Sequence, residues 1–230
     1  SYSAKKPVVD RMLEALPGTL MLAGTALVFT LLYALPAGII SALNRNKWVD
    51  YLLRAASFVG VSMPTFWLGL VLIYIFGLKL GLVPIATSRV TPIGVILPAI
   101  TLAVVVGSKY MRQVRLVILE EMEKDYVIGA RARGVSEMKI LFGHILPNAV
   151  LPLITILGVL MGWLLGGVAV VEMVFSWPGL GNMAIYAITM RDYPLIEGFV
   201  LWVSLAYMCI NALVDASYIL LDPRLKRERA

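Results

Sequence analysis

The sequence predicts an all-α polytopic membrane protein with about five transmembrane helices, and three observations carry that prediction. Of its 230 residues, 60% are hydrophobic and only 15% are charged, with a mean hydropathy of +0.87. Soluble domains are roughly half apolar and a quarter charged. The apolar residues fall into five runs, against the roughly 20 helical residues needed to cross a hydrocarbon core of about 30 Å. The charges gather between those runs.

Taken in order, Val8–Leu16 carries apolar residues at Val8, Val9, Met12, Leu13 and Leu16, a helical spacing that suits a lead-in helix or one lying in the interface. The five runs are then Thr19–Leu43, Phe58–Leu78 with Pro64 inside it, Ile93–Ser108, Leu146–Val174 and Leu195–Leu221. Ile93–Ser108 is short unless its helix continues into the charged residues that follow. Lys/Arg placement fixes the orientation, because basic residues favour the cytoplasmic side. With five spans, 14 of the 20 Lys/Arg fall on one side, seven of them between Lys109 and Ile145, and six on the other. The carboxyl terminus is therefore expected in the cytoplasm and residue 1 outside. Residues 1–18 read as an external lead-in, 19–221 as the transmembrane unit with a cytoplasmic loop at 109–145, and 222–230 as a basic cytoplasmic tail. The opening SYSAKKPVVDRM has neither an initiator Met nor an apolar signal region, which suggests a portion of a longer protein.

Several chemistries lack their residues. There is no G-x-x-x-x-G-K-[ST], no G-x-S-x-G and no H-E-x-x-H. The one cysteine, Cys209, and the one histidine, His144, make neither a disulfide nor a metal cluster, so no metal and no cofactor is expected in this chain. The net charge of +6 sits beside apolar runs, which points to an anionic membrane surface and away from nucleic acid. Glu172 and Asp215 lie within or at the edge of apolar runs, where a carboxylate needs a partner or water. Either they form a proton or cation relay, or each is hydrogen-bonded at a span end; Asn211 is one turn from Asp215 and available to it. Ser176–Asn182, SWPGLGN, combines Trp177, Pro178, Gly179 and Gly181 in a tight external connector or re-entrant turn. Gly158, Gly162 and Gly166 recur every fourth residue, which predicts a close helix interface.

The basic stretch DYVIGARARGVSEMKILFGHILPNAVLP, from Asp125 to Pro152, has more local grammar than a solvated loop requires. Met122, Tyr126 and Ala130 recur one per turn, Gly134 suits a left-handed helix end, and Ser136 suits the cap of a second helix entering the membrane at Leu146. A helix, a turn and a helix at the cytoplasmic surface make a docking surface for a partner.

These residues resemble a family: the permease subunits of binding-protein-dependent ABC importers, in the dipeptide, oligopeptide and nickel branch. Its loop pattern is E-A-A, three residues, G, nine residues, I-x-L-P. Ala130, Gly134, Leu146 and Pro147 fall on that spacing, while Ile128, Gly129 and His144 depart from it. VSMPTFWLGL, VEMVFSWPGLGN, RDYP and LVDASYILLDPRL are also similar to that branch. The resemblance implies a type I ABC importer permease architecture in a bacterial inner membrane, with six spans in the full chain. It implies as partners a second, similar permease, two cytoplasmic ATPases that bind ATP and Mg, and an external binding protein. It further implies that Ala130 and Gly134 form a coupling turn, with Asp125, Tyr126, Arg131 and Arg133 around it as contacts. The cargo it implies is peptide, or alternatively nickel or a metal chelate. An ion-coupled carrier using Asp215 or Glu172 is the alternative of another class.

Overall fold

The computed structural model of the protein describes residues 1, 5–85 and 89–221. The tail at 222–230 lies outside the described residues. The chain is helical throughout, with no strand among the described residues. Helix α1 (Val8–Leu43) runs unbroken through Pro17 and Pro36. Its 36 residues extend about 54 Å, longer than a bilayer core is thick. Val8–Leu16 is continuous with the rest of it.

Helices α2 (Trp48–Ser62) and α3 (Thr65–Leu72, continued by wider π-helical turns to Lys79) meet at 100°. The expected run Phe58–Leu78 is therefore an elbow, and its first residues belong to α2. Pro64 is the cause: its ring disfavours helical angles in the residue before it, and Met63 is extended at ψ 127°. The elbow opens a shallow cavity of about 530 Å³ lined by Phe58, Met63, Phe66 and Trp67 among others.

Helix α4 (Ile96–Met122) does continue past Ser108 into the charged stretch. Among the described residues, α1, Glu137–Gly162 and Tyr193–Ser217 are long and apolar enough to cross a membrane, with the elbow as a fourth if counted as one, whereas α4 is long enough but less apolar. The reason is its position. Sixteen of its 27 residues are buried, so protein rather than lipid surrounds it, and charged residues in its second half find protein partners. A short helix α5 (Asp125–Ala132) follows, then α6 (Glu137–Ile140), which passes through a π-helical turn (Leu141–Ile145) into α7 (Leu146–Gly167). The fourth expected run breaks at Val168, beyond which lie α8 (Ala169–Val174), α9 (Leu180–Thr189) and α10 (Tyr193–Leu221).

Contacts between three helix pairs fix the directions. Helix α1 runs parallel to α4: the Tyr33 hydroxyl donates to Ala103 O at 2.9 Å, and a methyl group on Gly38 would collide with Val114 further along both. Helix α7 runs back along α4, with the Tyr110 hydroxyl donating to Leu153 O at 3.4 Å. The expected glycine interface is intramolecular, since a methyl on Gly158 would strike Val214 and one on Gly162 would strike Tyr207, both of α10. One end of the bundle thus gathers α8, α9 and the starts of α1 and α10. The other gathers α5, α6 and the α1–α2 turn.

Candidate functional site

At the α5 end, the local backbone follows from Gly134. Its φ is +77°, the left-handed conformation that glycine adopts at no side-chain cost. The Gly134 N–H donates to Arg131 O at 2.9 Å and the Val135 N–H to Ala130 O at 3.2 Å. That pair of bonds is a Schellman close, and it is sealed by the usual apolar contact because Ala130 and Val135 belong to one cluster with Val127, Ile140 and Ile145. Ser136 occupies the cap position of α6 with extended backbone, yet its side chain makes no capping hydrogen bond.

The expected single face of Met122, Tyr126 and Ala130 does not form, because the chain turns at Glu123 and Lys124 between α4 and α5. Val127 and Ala130 point into the core, fully buried, so Ala130 supports α5 from beneath. Asp125 and Arg133 are exposed, as is the edge of Tyr126. The Tyr126 hydroxyl donates to Glu121, which also takes the Lys124 ammonium at 2.6 Å, and it accepts from Asn148 Nδ2 at 3.2 Å. Burial, with the Glu121 carboxylate beside it, pushes the Tyr126 phenol above its ordinary value. Arg131 grips Glu137 in two bonds of 2.8 and 3.1 Å, bracing α5 against α6. Arg131 therefore acts within the loop, whereas Arg133 faces outward.

Sequence reasoning missed the apolar part of this surface. Ile128 is 53% exposed on α5, whereas Met138 and Phe142, 62% exposed each, belong to the helix that runs on from Glu137 as a span. The signal at Ile128 was present: a bulky apolar residue in a segment already placed outside the membrane asks to be covered.

At the opposite end, Glu172 is fully buried and multiply hydrogen-bonded, as the simpler reading of its sequence position expects. It accepts from the Thr19 hydroxyl at 2.7 Å and from the Asn182 N–H at 2.9 Å. Thr19 in turn accepts from the Leu180 N–H at 2.8 Å. Two side chains from α8 and α1 thereby satisfy the orphan donors at the start of α9, where the carboxylate also meets the positive helix end. Trp177, completely buried, donates its ring N–H to Gly18 O at 2.9 Å, and Asn182 Nδ2 donates to Trp177 O at 3.1 Å. A methyl on Gly179 would overlap the Glu172 carboxylate and one on Gly181 would overlap Ala169. Pro178 O lies against Gly18. SWPGLGN is a rigid connector knotted to α1. Asp215 is exposed on α10, and no hydrogen bond joins it to Asn211. No relay geometry links it to Glu172, which its own partners occupy.

Comparison with known proteins agrees with this architecture. Residues 34–227 match the family model described as "Binding-protein-dependent transport system inner membrane component". The chain is 38% identical to the glutathione transport system permease protein GsiC of Escherichia coli over 226 residues, which is 98% of this chain and 74% of that protein. GsiC of Shigella flexneri matches at the same identity and coverage. Among solved structures, the fold is similar to a chain of the inward-facing MetNI methionine ABC transporter, with a TM-score of 0.79 at 17% identity, covering 95% of this chain and 99% of that one. A chain of an amino acid ABC transporter crystallised with histidines gives a TM-score of 0.66 at 18% identity, covering 90% and 92%.

Proposed function

We propose, because this chain belongs to the family of binding-protein-dependent transport system inner membrane components, that it forms one side of a membrane path for short peptides of the glutathione class. In this reading it hydrolyses nothing itself. A second, similar permease completes the path, two cytoplasmic ATPases bind ATP with Mg and supply the force, and an external binding protein delivers the cargo. The observation that carries the reading is the surface at the α5 end, where a helix locked by a glycine close presents Ile128 and Arg133 outward above the buried anchors Val127 and Ala130. Binding of nucleotide would bias a two-state change in the spans through that surface. The antiparallel packing of α10 on α7 supports a carboxyl end on the same side as α5. The substrate class rests on the 38% identity to a glutathione permease component.

The test is ATP hydrolysis by the complex in nanodiscs, with the binding protein present, on adding glutathione, dipeptides or Ni²⁺. Stimulation by glutathione or dipeptides is the expected result. Stimulation by Ni²⁺ alone would transfer the reading to metal import. The two arginines separate in a second measurement. Arg133→Glu is expected to weaken co-purification of the ATPases by about tenfold, since reversal of a desolvated interface charge costs more than about 1.4 kcal/mol. Arg131→Glu should act differently, placing two carboxylates together and loosening α5 from α6. Unchanged association of Arg133→Glu would remove that residue from the interface.

A further inference from the structure

Among the described residues, the most thoroughly partnered charge lies outside both sites described above. Asp50, in the first turn of α2, is completely buried. Arg115 of α4 holds it in a bidentate grip, Nε to Oδ1 and Nη2 to Oδ2, both 2.8 Å. The Ser41 hydroxyl, from the last turn of α1, donates to Oδ1 at 2.6 Å, and the Asn46 N–H donates to Oδ2 at 3.0 Å. Asn46 itself sits at a φ of +62°, so the α1–α2 turn is shaped around the carboxylate. Four donors from α1, its following turn and α4 therefore converge on one side chain of α2.

Stability alone does not explain this arrangement, because a buried ion pair is often matched by an apolar pair of the same volume. A planar fork on a carboxylate offers something an apolar contact lacks, a fixed mutual orientation of the two helices. The location gives that orientation a use. Arg115 lies two turns before the end of α4, α5 begins at Asp125, and α2 leads directly into the 100° elbow. Further up, Gly60 of α2 packs so closely on α4 that a methyl would strike Ser108. A second, exposed pair, Arg45 with Glu123, joins the α1–α2 turn to the α4–α5 turn, but exposed pairs hold geometry weakly.

We propose that Asp50 and Arg115 are positioning residues of the transport cycle, which oblige the base of α2, and with it the elbow, to follow α4 when the loop around α5 is displaced. This rests on the reading of that loop as the surface on which the ATPases act. The experiment uses the whole complex in nanodiscs, with spin labels on Met138→Cys or Trp67→Cys, each paired with Tyr186→Cys at the far end, in a Cys209→Ser background. In the otherwise unmodified chain, ATP is expected to shift both the 138–186 and the 67–186 distances. In Asp50→Asn, the 138–186 shift should persist while the 67–186 shift falls by at least half. Transport should drop about tenfold or more, with unstimulated ATP hydrolysis within twofold. Arg115→Lys, which keeps the charge and one hydrogen bond, should lie between, and Arg45→Ala should transport normally. An unchanged 67–186 shift in Asp50→Asn would overturn the inference, as would loss of complex assembly in both Asp50→Asn and Arg115→Lys. A 138–186 distance that ignores ATP without any substitution at Asp50 would instead refute the reading of the loop, and this inference with it.

Discussion

Gly134→Val is expected to abolish substrate-stimulated ATP hydrolysis by the reconstituted complex while leaving the spans inserted. The space around Gly134 is open, with nothing within 4 Å of an added Cβ, so no side-chain collision is involved. The effect comes through the backbone. A φ of +77° costs an ordinary residue about 1–2 kcal/mol, and a β-branched one suffers most. The cheapest escape is to leave the left-handed region, which breaks the bonds from Gly134 N–H to Arg131 O and from Val135 N–H to Ala130 O. Helix α5 then loses its fixed angle to α6, and the outward placement of Ile128 and Arg133 is lost with it. Gly134→Asn is the control, because asparagine tolerates this conformation; it should keep stimulation within about threefold, since the residual strain is a fraction of a kcal/mol. Normal stimulation in the valine variant would remove the turn from the coupling surface.

The largest stability effect is expected at Glu172. Glu172→Ala strands the buried Thr19 hydroxyl and the part-buried Asn182 N–H, two donors whose unmet bonds cost up to about 1–3 kcal/mol each. A loss of up to roughly 2–6 kcal/mol by that count should appear as a large drop in Tm of the detergent-solubilised protein. Glu172→Gln retains one acceptor oxygen and should lose less than half as much. If Glu172→Ala unfolds with the unaltered protein, the knot between α1, α8 and α9 does not hold that end together.

What the sequence disclosed about these two places differs in kind. Gly134 was legible because a Schellman close is written within six residues, with a glycine in the one position that needs it and small or apolar residues flanking it. Glu172 was legible as a carboxylate that needs partners at a span end, but Thr19 lies 153 positions away and no local pattern points to it. Pro64 announced an interruption; its angle did not follow, since α3 takes its direction from what it meets, including Gly69 against Phe175. The α4–α5 turn was missed because Met122, Tyr126 and Ala130 keep a helical spacing across it, and periodicity is indifferent to a two-residue break. Asp50 and Arg115 were invisible as a pair, separated by 65 positions and each unremarkable in its own helix. Ser136 erred the other way: a residue type suited to capping took the position without making the bond.

The elbow also implies an order of events during synthesis. Trp48–Ser62 has 15 residues, about 23 Å of helix, and Thr65–Lys79 is the same length, so neither arm alone matches a hydrocarbon core of about 30 Å. The non-helical backbone at Met63 and Pro64 must therefore be covered by neighbouring helices within the bilayer. The groups that hold α2 in place, Ser108 and Arg115, belong to a helix translated tens of residues later. The contacts that hold the α2 arm of the elbow therefore form only once α4 has been made, so the bend's final setting depends on residues that follow it in the chain.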